Sequence, residues 1–155
     1  MNARRDPDFM IRARTDAAAT SGIAEVIERL NRYAEAGADI LFADALLSAG
    51  DIATVAKNVT RPLSVNMGFG LIERGTTPLM TPRQLEDLGV AMVSYVRMLT
   101  SAALKGMMNA LEAFQPTIGA AKPTTRPDLM VTFPELNRIM GMERIDAIER
   151  GFLGE

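Results

Sequence analysis

The sequence predicts an α/β fold in which four β-strands alternate with four helices. Four short apolar runs recur along the chain, and a helical pattern follows each of them; the runs cover residues 9–14, 39–44, 62–66 and 90–95. Each run also ends in or beside a polar residue. Because the carboxyl ends of parallel strands lie at one edge of a sheet, we expect the functional side chains at these strand ends.

The first two strand–helix units follow from hydrophobic spacing. A helix is predicted over residues 22–35 because apolar residues recur there at positions i, i+3, i+4 and i+7. These residues are Ile23, Val26, Ile27 and Leu30. Residues 40–43 form an unbroken apolar run, which is typical of a parallel strand buried on both faces. A second helix is predicted over residues 51–58.

A long loop and a short helix separate the third strand, at residues 63–66, from the fourth strand, at residues 90–95. The loop contains three glycines, and we interpret it as a flexible segment that covers the substrate. The start of the short helix is well marked, because Thr81 and Gln84 have the spacing of a capping box and Pro82 occupies the first helical position.

A fourth helix is predicted after the fourth strand, with Thr100 as its cap and with one apolar stripe. The stripe consists of Leu104, Met107, Met108, Leu111 and Phe114. Thr132 and Glu135 repeat the capping-box spacing further along the chain and predict a terminal helical segment. We therefore predict three segments: four βα units at residues 1–115, an irregular linker at 116–131 and a helical tail at 132–155.

Composition excludes several classes of function. The formal net charge is −2, so no basic surface for nucleic acid or an anionic membrane is expected. The start of the chain lacks a signal-peptide core, and no apolar run reaches membrane-spanning length, which predicts a cytoplasmic protein. The chain has no Cys and no His, which excludes thiolate nucleophiles, imidazole catalysis and His-ligated metal sites.

Three strand-end residues are the candidate site. Arg14 either binds a substrate carboxylate through its planar fork or forms a structural salt bridge to Asp16 or Asp44. Asp44 either orients a substrate hydroxyl or assists acid–base chemistry, or it is simply the counter-ion of Arg14. Asn66 either donates a hydrogen bond to a substrate carboxylate or caps its loop. For Tyr95 we predict packing with a satisfied hydroxyl rather than an acid role.

Several motifs occur together in one order. These are IRARTDA at residues 11–17, AGADILFADA at 36–45, VNM at 65–67, TPL at 77–79 and TFPELN at 132–137. The set resembles the isocitrate lyase / phosphoenolpyruvate mutase superfamily, and most of all its short bacterial branch of oxaloacetate decarboxylases, methylisocitrate lyases and carboxyphosphonoenolpyruvate mutase-like proteins. The resemblance covers nearly the whole chain.

This resemblance implies a (β/α)₈ TIM-type barrel enzyme that binds Mg²⁺ and makes or breaks a bond next to an enolate of pyruvate type. It implies that Arg14 is the substrate-carboxylate Arg, that Asn66 is the substrate-binding Asn, and that Asp44 stands where relatives often carry Glu. Two positions depart from the family pattern, because Gly68 replaces a frequent Thr and Ser101 stands near the place of a frequent Arg.

The resemblance also implies that the chain corresponds to only half of the barrel. A closed barrel takes eight βα units in about 250 residues, whereas this chain supplies four, which match the carboxyl-terminal half. The metal-ligating Asp and Glu residues and the flexible catalytic loop of the family belong to the other half, so we expect no metal site in this chain alone.

Two functional hypotheses follow from this limited extent. In the first, the chain is a half-length lyase that acts on a small oxo- or hydroxy-dicarboxylate as a homo-oligomer or with a complementary amino-terminal half barrel. In the second, it is a catalytically silent binding or assembly subunit.

Overall fold

The computed structural model describes residues 3–153, and within them it contains four β-strands, six α-helices and one 3₁₀ helix. The elements run in the order β1 (Arg12–Thr15), α1 (Ala18–Glu35), β2 (Ile40–Ala43), α2 (Ala49–Asn58), β3 (Leu63–Asn66), α3 (Pro82–Asp87), β4 (Val90–Ser94), α4 (Met98–Phe114), the 3₁₀ helix (Gln115–Gly119), α5 (Phe133–Met140) and α6 (Met142–Leu153). None of the helices among these residues is long and apolar enough to cross a membrane.

The four strands form one parallel sheet in the order β1-β2-β3-β4. Each strand therefore pairs with its neighbours in the chain, as the alternating βα pattern predicts. The strands β2 and β3 have the predicted bounds. For β2 the reason is its unbroken apolar run, which leaves little freedom in where a buried strand begins and ends.

The chain divides into two units, the first ending at Ser101 and the second beginning at Ala102. The first unit contains the sheet and the core. The largest fully buried apolar side chains of this core come from α1, α2, α3, the strands and the loop after β2: Val26, Leu30, Leu41, Leu46, Ile52, Val55, Leu63, Val65 and Leu85. The second unit contains most of α4, the 3₁₀ helix, α5 and α6, and none of its described residues is buried.

The first strand begins later than the sequence suggests. We predicted a strand over residues 9–14, but β1 starts at Arg12, and the Phe9 and Met10 side chains are 66% and 62% exposed. The start is set by Asp39, whose Oδ2 accepts a hydrogen bond of 2.8 Å from the Ile11 backbone N–H. The hydrogen bond from that N–H contributes most to holding the pKa of the Asp39 carboxyl below its usual value, and the ion pair with the Arg4 guanidinium lowers the pKa further.

The first helix begins earlier than predicted, at Ala18 rather than at residue 22. Gly22 lies inside it with a φ of 79°, so the helix is kinked at this glycine instead of starting there. The predicted apolar stripe is confirmed: Val26 and Leu30 are fully buried, and Ile23 and Ile27 pack against the core.

Helix caps are predicted well at two positions and wrongly at one. Thr81 with Gln84, and Thr132 with Glu135, both form capping boxes. The predicted cap at Thr100 is wrong, because α4 already begins at Met98 and the Thr100 hydroxyl donates to the carbonyl of Arg97, the residue just before the helix. The apolar stripe of α4 is more than half exposed at each of its five residues.

We expect the isolated chain to self-associate. The strands β1 and β4 are the two edges of the sheet, and an unpaired edge is a template for a further strand. The exposed stripe of α4 adds apolar surface that favours association. Sedimentation equilibrium of the purified chain is expected to show dimers or larger assemblies. A well-dispersed monomer near 16.8 kDa at tens of micromolar would contradict this expectation.

Candidate functional site

One face of the sheet carries polar side chains from β1, β3 and β4, with a phenylalanine of β2 between them. We call this surface the arginine face; it consists of Arg12, Arg14, Phe42, Ser64 and Ser94. Both guanidinium groups lie over the ring of Phe42, with the Cζ of Arg12 at 4.7 Å and the Cζ of Arg14 at 5.1 Å from its centroid. Such contacts hold a guanidinium plane against an aromatic ring.

Arg14 lies at the carboxyl edge of the sheet, as predicted, and binds two carboxylates. Its Nε and Nη2 donate to Oδ1 of Asp16 at 3.0 and 2.7 Å, and Nη2 also donates to Oδ2 of Asp44 at 2.5 Å. The hydrogen bond to Asp16, followed by the charge of Asp44, raises the pKa of Arg14 even though burial opposes the shift. Arg14 is therefore a fixed cation at this edge.

Asp44 is held from two sides. Besides its bond to Arg14, its Oδ1 accepts a hydrogen bond of 2.9 Å from the Ala45 backbone N–H. Ala45 has a φ of 58°, which is rare for a residue with a side chain. The side chain of Asp44 is 21% exposed, so a ligand at the edge of the sheet can still reach it.

Asn66 ends β3 and fixes the loop that follows. Its Oδ1 accepts a hydrogen bond of 2.8 Å from the Gly68 N–H, which is the loop-capping contact anticipated from the sequence. Its Nδ2 donates no hydrogen bond within residues 3–153, so the amide group can cap the loop and bind a ligand together.

The sequence analysis did not identify Arg12, Ser64 or Ser94. Nη1 of Arg12 donates to the hydroxyl of Ser94 at 2.8 Å and to that of Ser64 at 3.3 Å. The signal for Arg12 was its spacing, because residues two apart in a strand lie on the same face and Arg12 precedes Arg14 by two. Arg12 was not predicted because only the residues at the carboxyl ends of the strands were considered.

The glycine-containing loop packs on Tyr95 through Gly70. The ring of Tyr95 packs against the core as predicted, but its hydroxyl makes no hydrogen bond within the described part of the chain. Gly70 has a φ of 69°, and a Cβ added there would lie 2.7 Å from Cδ1 of Tyr95. Only glycine combines that backbone angle with so close an approach.

Gly70→Ala is expected to lower the free energy of unfolding by about 1–3 kcal/mol, since the new methyl group adds a steric clash to a strained φ. Urea denaturation followed by circular dichroism measures the change. Gly75→Ala is the matched control in the same loop, where a Cβ meets nothing within 4 Å. Equal stability changes in the two variants would refute the role given to Gly70.

The carboxylates of the site do not fit a magnesium ion. Within residues 3–153 no group of three or more His, Cys, Asp or Glu side chains is arranged to hold a metal. Asp16 and Asp44 are both paired with Arg14, whose positive charge stands where a cation would have to bind. Hard cations such as Mg²⁺ need several oxygen ligands in an octahedral arrangement.

We therefore expect the isolated chain to bind Mg²⁺ no more tightly than an ordinary acidic surface does. Isothermal titration calorimetry with MgCl₂ is the measurement, and its expected result is a weak, non-saturating heat. A saturable site with micromolar affinity would contradict this expectation, because it would need oxygen ligands that are paired with Arg14 in this structure.

Comparison with known proteins gives the chain its relatives. The family model described as phosphoenolpyruvate phosphomutase matches residues 1–115. A 2,3-dimethylmalate lyase from Eubacterium barkeri is 36% identical over 98% of this chain and 50% of its own length. A 2-methylisocitrate lyase from Salmonella typhimurium is 33% identical over 97% of this chain and again 50% of its own length. The chain thus spans about half the length of these curated relatives.

Solved structures show the same fold. A crystal structure of 2,3-dimethylmalate lyase superposes with a TM-score of 0.77 at 24% identity, covering 92% of this chain and 47% of that one. Oxaloacetate acetylhydrolase with the inhibitor 3,3-difluorooxalacetate gives a TM-score of 0.80 at 24% identity, covering 96% and 47%. The four βα units are therefore half of a TIM-type barrel followed by a helical tail. The chain belongs to the phosphoenolpyruvate mutase / isocitrate lyase superfamily.

Proposed function

We propose that this chain is the substrate-carboxylate-binding half of a carbon–carbon lyase that acts on a small oxo- or hydroxy-dicarboxylate. The observation that supports the proposal most is the cation at the carboxyl edge of the sheet: Arg14 with Asp44 beside it and Asn66 two strands away. Active sites of TIM-type barrels lie at this edge. The relative named 2,3-dimethylmalate lyase points to the same class of substrate, since 2,3-dimethylmalate is a hydroxy-dicarboxylate. The relative named 2-methylisocitrate lyase points to a related hydroxy acid with three carboxylates.

Arg14 is proposed to bind the substrate carboxylate. Its Nη1 donates no hydrogen bond within residues 3–153, so both N–H groups of Nη1 are available to a carboxylate. A second, parallel bond from Nη2 forms if the carboxylate replaces Asp44 on that nitrogen, while Asp16 remains on Nε. Bidentate pairs of this kind are strong and directional. Asn66 then donates a hydrogen bond from Nδ2 to the same end of the ligand.

Asp44 is proposed to act on the substrate hydroxyl. Its position beside Arg14 keeps a carboxylate oxygen within reach of a group bound to that guanidinium. In carbon–carbon cleavage of a hydroxy acid the hydroxyl proton must leave as the carbonyl forms, and Asp44 can orient that hydroxyl or relay its proton.

The magnesium chemistry of the parent family is assigned to a complementary amino-terminal half barrel, because the carboxylates of this chain do not fit the ion. That assignment makes a partner necessary for turnover. The partner is either a separate half barrel or the missing part of a longer polypeptide.

The second candidate function is that of a catalytically silent binding or assembly subunit. The observation in its favour is that Asp16 and Asp44 already neutralise Arg14, as in a purely structural ion-pair network. In that case the same edge holds the barrel together and binds no substrate.

Pyruvate release separates the two functions. The assay supplies oxaloacetate or methylisocitrate with Mg²⁺ to the chain alone and to the chain mixed with the amino-terminal half barrel of a full-length relative. The proposed lyase is expected to release pyruvate above the background rate only in the mixture. A mixture that forms a complex but releases no pyruvate would establish the silent subunit instead.

A further inference from the structure

Arg12 is a cation whose partners in this structure are neutral. Its two hydrogen bonds go to the hydroxyls of Ser64 and Ser94, and its guanidinium lies over the ring of Phe42. Among the described residues no carboxylate lies within ion-pair distance of Arg12, whereas Arg14 on the same face has two such partners. The charge of Arg12 is therefore uncompensated by residues 3–153.

The way in which Arg12 is held leaves one side of it open. Both hydrogen bonds to serine come from Nη1, and neither Nε nor Nη2 donates within the described part of the chain. Those two nitrogens form the edge of a guanidinium that binds a carboxylate through two parallel hydrogen bonds. Two hydroxyls and an aromatic ring thus position a cation, and its binding edge is unused.

We propose that Arg12 binds the second carboxylate of a dicarboxylate substrate whose first carboxylate is bound by Arg14. The inference rests on the proposed function and specifies its substrate. Arg12 lies two residues further from the carboxyl edge than Arg14, which is about 6.6 Å along a parallel strand. Since both guanidinium groups lie over the same Phe42 ring, one short ligand with an anion at each end can contact both.

The positive charge of Arg12 requires an anionic partner once the complementary half closes the barrel. A charged side chain enclosed without a partner is costly, and hydroxyl groups cannot neutralise it. A substrate carboxylate supplies the missing charge at the moment of binding, so the same interaction discriminates against a substrate that has only one carboxylate. The rival source of charge is an Asp or Glu of the complementary half barrel, and the experiment distinguishes the two.

The test uses succinate and butyrate as probes, because they have the same carbon number and differ in one carboxylate. Saturable binding of each to the full chain is measured by calorimetry or by NMR titration. We expect the native chain to bind succinate more tightly than butyrate. Arg12→Gln should reduce succinate affinity about tenfold or more and leave butyrate affinity unchanged, whereas Arg14→Lys should weaken both. Ser94→Ala should weaken succinate binding less than Arg12→Gln does, because it removes a contact that positions Arg12.

The controls separate the possible failures. Thermal unfolding of each variant shows whether it is folded, and Arg126→Gln removes a guanidinium from outside the arginine face. If Arg12→Gln leaves the affinity of the chain for succinate unchanged, the inference is wrong although the proposed function stands. The same conclusion follows if this variant instead binds the complementary half barrel less tightly than the native chain does. If the native chain binds neither probe, or if Arg14→Lys changes neither affinity, the proposed function fails together with the inference.

Discussion

Arg14→Lys is expected to lower kcat/KM of the reconstituted enzyme at least tenfold, a loss of about 1.4 kcal/mol of transition-state stabilisation. Lys keeps the positive charge but offers a single ammonium instead of a planar fork, so it cannot bind one carboxylate through two parallel bonds while also contacting Asp16. Steady-state pyruvate release, measured in the presence of the amino-terminal half barrel, gives kcat/KM of the native and variant enzymes.

Arg126→Lys is the matched control for this substitution. Arg126 pairs with Asp128 two residues later, as Arg14 pairs with Asp16, and the exposed fractions of the side chains are nearly the same: 50% and 60% against 50% and 63%. The control pair lies outside the sheet, so Arg126→Lys should leave kcat/KM unchanged. Near-native kinetics for both variants would show that Arg14 has a structural role and does not bind the substrate.

Leu41→Ala is expected to lower the free energy of unfolding of the first unit by about 2–5 kcal/mol. Leu41 is fully buried in β2, an interior strand of the sheet, where it pairs in register with Ala13 and Leu63. Truncating it removes apolar burial and leaves a cavity that a sheet covered by helices cannot close. Urea denaturation followed by circular dichroism measures the loss.

Leu71→Ala makes the same chemical change at a side chain that is 81% exposed in the loop after β3. Its effect should stay within about 0.5 kcal/mol, as for most surface substitutions. Comparable losses in the two variants would mean that Leu41 does not lie in the core described above.

The order of the secondary structure was predictable because the sheet is parallel and locally connected. β2 is a short apolar run, whereas β3 has the sequence LSVN; both strands are buried at three of their four residues, and both were placed at the correct residues. β1 was extended too far towards the amino terminus, because Phe9 and Met10 are apolar but β2 offers them no partner. A strand boundary depends on the neighbouring strand, which hydropathy along one segment does not report.

The candidate site was predictable only in part, for a similar reason. Arg14 and Asp44 could be chosen from the rule that polar residues at strand ends are functional, and the structure brings these two together. Arg12 required knowledge of the register, since its partners Ser64 and Ser94 are more than fifty residues away in the chain. The spacing of two residues between Arg12 and Arg14 was visible, but the hydroxyls facing Arg12 were not.

The central claim is that Arg14 and Asn66 together bind a carboxylate, and an NMR titration of the ¹⁵N-labelled chain with pyruvate tests it most directly. We predict that the Arg14 Nε–H and Asn66 Nδ2 resonances shift along one common saturation curve while the Arg126 Nε–H resonance stays in place. An Arg14 resonance that does not move, or that moves only in parallel with that of Arg126, would contradict the claim.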